Sequence, residues 1–161
     1  MTTTTSPTLT RLRHSSQAVR WADDMHQPGR ALVIAVDSPP HSAELAGITV
    51  LDCVGGVLVD SVSLRAVLPH LLSITDGRKV IAYNDIAVRE ALAREAGRRQ
   101  LDLEHLEDGE SWGCIMRARS VWAGTPSIYY PLVSGPGSMA AAVATLDVLH
   151  HIAEDSGLPD V

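Results

Sequence analysis

The sequence lacks the features that mark several classes of protein. Its two cysteines, Cys53 and Cys114, lie far apart and match neither a CxxC motif nor a metal-binding spacing. No apolar run approaches the ~20 residues that are needed to span a bilayer. The first ten residues are rich in Thr and contain no apolar segment of the kind found in signal peptides. We therefore expect reduced, buried thiols in a cytoplasmic protein that has no membrane partner.

The chain also lacks an excess of positive charge. Its net charge is −6, which argues against a broadly basic surface that follows phosphate backbones. The net charge does not exclude a local basic patch, but the run Arg94, Arg98 and Arg99 is more typical of a solvated helix end than of a surface that binds a phosphate backbone. A length of 161 residues with 45% hydrophobic content suits one domain with a core. We predict a disordered tail at 1–14, a single domain at 15–156 and a short tail at 157–161.

The hydrophobic pattern predicts alternating strands and helices after an initial helix over 15–26, which Ser15 would cap. Strands are expected at 31–36, 47–53, 57–62, 79–83 and 112–116, and helices at 64–74, 85–99 and 137–154. The Val54-Gly55-Gly56 segment predicts a tight hairpin between the second and third strands. This order of elements suits a mixed sheet that is covered by helices.

Three segments carry a resemblance to a known family. Tyr83–Glu90 (YNDIAVRE) follows a short strand and resembles the second motif of DnaQ-like (DEDD) 3′–5′ exonucleases, roughly AYNxxFD. In that family the Asp of this motif is a metal ligand, and here its position is Val88. The end of the first strand resembles the family's first motif, D-x-E: Asp37 matches the first carboxylate, and Pro39 stands at the second.

A third segment, Gly137–Ala144, resembles the family motif GHRALxDA. Ser138 stands at the position of the catalytic His, and Val143 at the position of the final Asp. The similarity extends over about 18–154, and it implies a ribonuclease H-like α/β fold: antiparallel hairpin strands plus parallel strands, flanked by helices.

The replaced residues decide what the resemblance implies about activity. Hydrolysis of phosphodiesters in this family uses two divalent ions held by clustered carboxylates, and of the four expected carboxylates only Asp37 is retained. We therefore predict a catalytically degenerate exonuclease homologue without a cofactor, which works by binding a protein partner or a second copy of itself. Ser138 is then expected to act as the N-cap of the last helix.

Two alternatives stay open. The chain would be an active exonuclease, dependent on Mg²⁺ or Mn²⁺, if Asp85 and Asp147 replaced the missing ligands from one helical turn away. We prefer to interpret Asp85 as a helix cap, a role that Asn84 is also placed to fill, and Asp147 as a solvated residue, because one turn moves a ligand by about 5 Å. The chain would alternatively be a non-catalytic nucleic-acid-binding protein. We further predict that the apolar loop Ile128–Val133 plugs the former active-site cleft or takes part in a dimer.

Overall fold

A five-stranded mixed sheet forms the centre of the molecule. The computed structural model describes residues 7–39 and 44–155, and the side chains from residue 15 onward within these ranges. The strands are β1 (Ala31–Asp37), β2 (Gly47–Asp52), β3 (Val57–Ser61), β4 (Lys79–Ala82) and β5 (Trp112–Cys114). Their order in the sheet is β3-β2-β1-β4-β5. The β1–β2 and β2–β3 pairs are antiparallel, whereas β1–β4 and β4–β5 are parallel.

Helices flank this sheet. They are α1 (Pro7–His26), α2 (Leu64–Thr75), α3 (Asp85–Arg99), α4 (Ile115–Trp122) and α5 (Ser138–Ala153). Two short 3₁₀ turns, Glu104–Glu107 and Gly109–Ser111, connect α3 to β5. The predicted α/β class with a mixed sheet is confirmed, and the arrangement is consistent with a ribonuclease H-like fold. Within 7–39 and 44–155, no helix combines the length and the apolar composition that crossing a membrane requires.

The central strand β1 is buried on both faces, as its continuous apolar run predicts. Leu32 and Ile34 pack into a cluster with α2 and α3, whereas Val33 and Ala35 pack into a second cluster with α1 and α5. This division follows from the alternation of side chains along a strand. The same alternation applies at the end of β1, where the side chains of neighbouring residues point to opposite faces of the sheet.

The first helix is longer than the sequence suggests. It begins at Pro7, so it takes in residues 7–14, which the sequence assigned to a tail. Ser15 lies inside the helix rather than at its cap. Its buried hydroxyl donates to the carbonyl of Trp122 at 2.8 Å and thereby joins α1 to α4. The predicted cap is wrong because a short hydroxyl side chain serves an interhelical contact as readily as a helix end.

Candidate functional site: a cleft at the carboxyl ends of the parallel strands

A cleft of about 350 Å³ opens where the parallel strands β1 and β4 end, between α3 and α5. Most of the side chains that line it are apolar: Ile34, Ala35, Val36, Ala87, Val88, Ala91, Leu132 and Ala141, with Tyr83. Its polar lining consists of Ser38, Asn84, Arg94 and Thr145, so no carboxylate lines it among the residues that the structure describes. Ligands of open α/β sheets bind outside the carboxyl ends of the strands. The geometry therefore marks this cleft as the candidate site.

Asp37 does not line this cleft. Its side chain borders a second depression of about 560 Å³, on the side of the sheet where α5 begins. Strand pairing places Asp37 opposite Gly47, and a Cβ on Gly47 would lie 2.8 Å from the Ser138 hydroxyl oxygen. Glycine at this position thus lets the start of α5 approach the sheet closely. Asp60 borders the same depression.

Ser138 has a structural role that the sequence did not predict. The cap of α5 is Gly137, whose φ of 94° suits glycine, so the expected cap at Ser138 is wrong. The Ser138 hydroxyl instead lies 2.8 Å from Thr49 Oγ1, and both side chains are buried. Thr49 also donates to Asp60 Oδ1 at 3.4 Å. This chain of polar contacts ties the start of α5 to the β2–β3 hairpin.

The remaining positions of the family motifs lie apart from one another. Val88 lines the apolar cleft, whereas Val143 is 47% exposed on α5 and lines neither the cleft nor the depression. Pro39 is half-buried just beyond β1. Of the predicted set, the structure brings together Asp37 and Ser138 only.

The proposed substitute acids also lie elsewhere. Asn84, not Asp85, caps α3, because its side-chain oxygen accepts from the backbone N–H of Ala87 at 3.2 Å. Asp85 is buried and forms an ion pair with Arg117 at 3.1 Å. Asp147 is exposed on α5, beside a shallow groove that His151 and Trp122 also line. Neither acid borders the cleft or the depression.

These positions do not fit the paired cations of the family's chemistry. Across residues 7–39 and 44–155, no three His, Cys, Asp or Glu side chains are grouped so that they could hold a metal ion. Among the described residues, the carboxylates that border the depression are those of Asp37 and Asp60, and Asp60 already accepts from Thr49. Two divalent ions need clustered carboxylates at well-set distances.

One wall of the cleft comes from the loop between α4 and α5. Leu132 lines the cleft and packs against the cluster of α1 and α5. The Tyr83 hydroxyl donates to the Tyr130 carbonyl, and Arg119 donates to the Tyr83 hydroxyl at 3.1 Å. The Arg119 guanidinium also lies 5.6 Å from the centroid of the Tyr130 ring. The side chains of Arg119 in α4 and of Tyr83, directly after β4, therefore hold the loop in place.

The loop lines the cleft without filling it. Ile128, Tyr129 and Val133 point to solvent, with exposed fractions of 55%, 54% and 87%. Only Leu132 of this segment reaches the cleft, which stays open beside it. The loop thus forms one wall of the cleft instead of plugging it. The predicted dimer stays a prediction.

Arg94 is the site residue that the motifs missed. It lies on α3 and lines the cleft, and among the described residues it makes no ion pair. Arg98 and Arg99 instead pair with Glu44 and Glu95. The spacing of Ala87, Ala91 and Arg94 is i, i+4, i+7, which places them on one helix face. That spacing was a usable signal, because Ala87 stands next to Val88, which the motif had already placed in the candidate site.

Comparison of the chain with protein-family models, with curated proteins and with solved structures finds no match in any of the three.

Proposed function

We propose that this chain is a binding protein on a ribonuclease H-like scaffold, related to DnaQ-like exonucleases but without their nuclease activity. The observation that carries the proposal is the apolar cleft at the carboxyl ends of β1 and β4. Val36, Val88 and Leu132 line the cleft, and Val88 stands at a position where the phosphodiester chemistry of the resembled family needs a metal-binding carboxylate. A site of this kind favours the binding of apolar groups over the stabilisation of charge.

The geometry gives no support to an active exonuclease with displaced acids. Asp85 is buried and forms an ion pair with Arg117. Breaking that ion pair would leave an unpaired carboxylate buried at the start of α3. Asp147 is on another face of α5 than the lining residues Ala141 and Thr145. Reaching Asp37 from either position would require a rearrangement of packed helices.

The cleft has the properties of a preformed binding site. Its volume lies at the small end of the range for ligand pockets, about 300–1,000 Å³. Its loop wall is fixed by Arg119 and Tyr83, so binding would not need to order that segment. Reduced thiols are consistent with a cytoplasmic location, since Cys53 and Cys114 are both free and buried.

The proposal is tested by incubating the protein with a labelled single-stranded oligonucleotide and Mg²⁺ or Mn²⁺. We expect no release of mononucleotides, in DNA or in RNA. Release by the wild type that Asp37→Ala abolishes would establish the nuclease alternative instead. The fluorescence anisotropy of the same oligonucleotide at low and high salt tests the alternative of nucleic-acid binding without catalysis. Binding that weakens as the salt concentration rises indicates contacts to phosphates.

A further inference from the structure

We propose that the cleft binds a small organic monoanion with an apolar body, and that Arg94 pairs with its anionic head. The inference rests on the proposed binding function and names the class of ligand for that same site. Its two parts, an apolar body and a single negative charge, follow from different residues of the cleft.

The apolar body of the ligand follows from the apolar lining of the cleft. Its lining includes Ile34 in the middle of β1 and Ala91 of α3, both buried. Val36, Val88 and Leu132 add partly buried apolar surface around them. Thr145 contributes little polarity, because its hydroxyl already donates to the Ala141 carbonyl at 2.7 Å. Apolar surface that a ligand removes from water is worth about 25 cal/mol per Å².

The negative charge follows from the polar groups of the cleft. Arg94 is exposed and has no ion pair among the described residues, although the whole chain carries a net charge of −6. Asn84 caps α3 ten residues before Arg94, about 15 Å along the helix axis, so its amide is set apart from the guanidinium. Ser38 adds a hydroxyl to the lining. A guanidinium without an opposing carboxylate favours a carboxylate or sulfonate head.

The number of cations limits the charge of the ligand. Arg94 is the one cationic side chain that lines the cleft among the residues that the structure describes. A ligand with several phosphates would place several negative charges beside apolar walls, and Arg94 alone could pair with them. The unpaired charges would lose hydration, which makes the free energy of binding less favourable. A monoanion with a short alkyl or aromatic body satisfies both the walls and the guanidinium.

The experiment compares two fluorescent probes with the same aromatic body. Anilinonaphthalene sulfonate carries one negative charge, and N-phenylnaphthylamine carries none. Each is titrated into the full chain as the wild type, as Arg94→Gln and as the matched control Arg78→Gln. Arg78 is also an exposed arginine without an ion pair among the described residues, but it lies at the opposite end of β4.

We expect the wild type to bind the sulfonate with one site and Arg94→Gln to bind it about tenfold more weakly, which is the effect of one charge-assisted hydrogen bond. Binding of N-phenylnaphthylamine should be the same in all three proteins, and Arg78→Gln should bind the sulfonate as the wild type does. Octanoate should displace the sulfonate from the wild type at a lower concentration than octanol does, and Arg94→Gln should remove that difference.

Equal sulfonate affinity in the wild type and Arg94→Gln would overturn the inference, since the probe would then sit elsewhere, for example on the exposed Ile128–Val133 segment. An equal loss in Arg78→Gln would also overturn it, because the effect would then reflect net charge. Both outcomes leave the proposed function standing, whereas metal-dependent release of mononucleotides would refute that function whatever the probes show.

Discussion

Replacing Arg119 by Met should loosen the wall of the cleft. The substitution keeps an apolar stem of similar length but removes the guanidinium that holds the loop. That group donates to the Tyr83 hydroxyl at 3.1 Å and to the Pro131 carbonyl at 3.5 Å, and it lies 5.6 Å from the centroid of the Tyr130 ring. Leu132 follows directly in the chain, so the loss acts on the lining of the cleft.

The size of the effect follows from these contacts. A hydrogen bond from a charged donor contributes about 1.5–3 kcal/mol, and the half-buried position of Arg119 places this one at the lower end. The bond to Pro131 is at the limit of hydrogen-bond distance and adds little. A partly exposed cation–π contact adds about 0.5–1 kcal/mol. We expect Arg119→Met to lower the free energy of unfolding by about 2 kcal/mol, which is a fall in Tm of about 4–8 °C.

Urea denaturation and limited chymotrypsin digestion check this prediction together. We expect cleavage after Tyr129 to accelerate in Arg119→Met, because the loop is released more often than the domain unfolds. Arg78→Met is the control, and it should change stability by less than about 0.5 kcal/mol. Wild-type stability and wild-type digestion rates in Arg119→Met would show that other contacts hold the loop.

Further changes test the remaining contacts. Burial, and then the charge of Asp52, raise the pKa of the Cys53 thiol from 9.0 to about 11. As the pH rises, the thiol therefore ionises in the unfolded state before it does so in the folded state. The free energy of unfolding should fall by up to about 3 kcal/mol between pH 9 and pH 11 for this reason. Urea denaturation of Cys53→Ala should show a decrease over this pH range that is smaller by that amount. Asp37→Asn should leave the Tm within about 1 °C of wild type, in line with an exchange of one partly exposed group; a large loss of ligand binding at unchanged Tm would show that Asp37 serves the site. Asp85→Ala should cost about 1–3 kcal/mol, less than a fully buried pair because Arg117 is half exposed, and a neutral result in thermal melts would contradict the role of this pair. Light scattering should show a dimer in the wild type and a monomer in Tyr129→Ser if the exposed loop forms the predicted interface, and a wild-type monomer would refute that interface.

The sequence determined the class of fold because the period of its apolar residues is a local property. The run Ala31–Val36, the hairpin around Gly55 and the helical spacing in 64–74 each specify an element without reference to the rest of the chain. Helix ends were less secure, as the caps of α1 and α5 show. A hydroxyl near a helix end has several partners within reach, and tertiary packing selects among them.

The tertiary structure alone decided which residues meet. Asp37 and Val88 belong to one motif set in the sequence, yet the alternation of β1 directs Asp37 towards the start of α5, whereas Val88 packs with the cluster of α2 and α3. Arg94 stood in the sequence beside Arg98 and Arg99, and the structure distinguishes it because Arg94 lines the cleft whereas Arg98 and Arg99 pair with acids. Pairing between distant segments depends on strand order and helix packing, which no local pattern encodes. The sequence thus determined that three of the four carboxylates of the resembled motifs are replaced. The fold determined that one of those positions, Val88, lines an apolar cleft whose one cationic side chain among the described residues is Arg94.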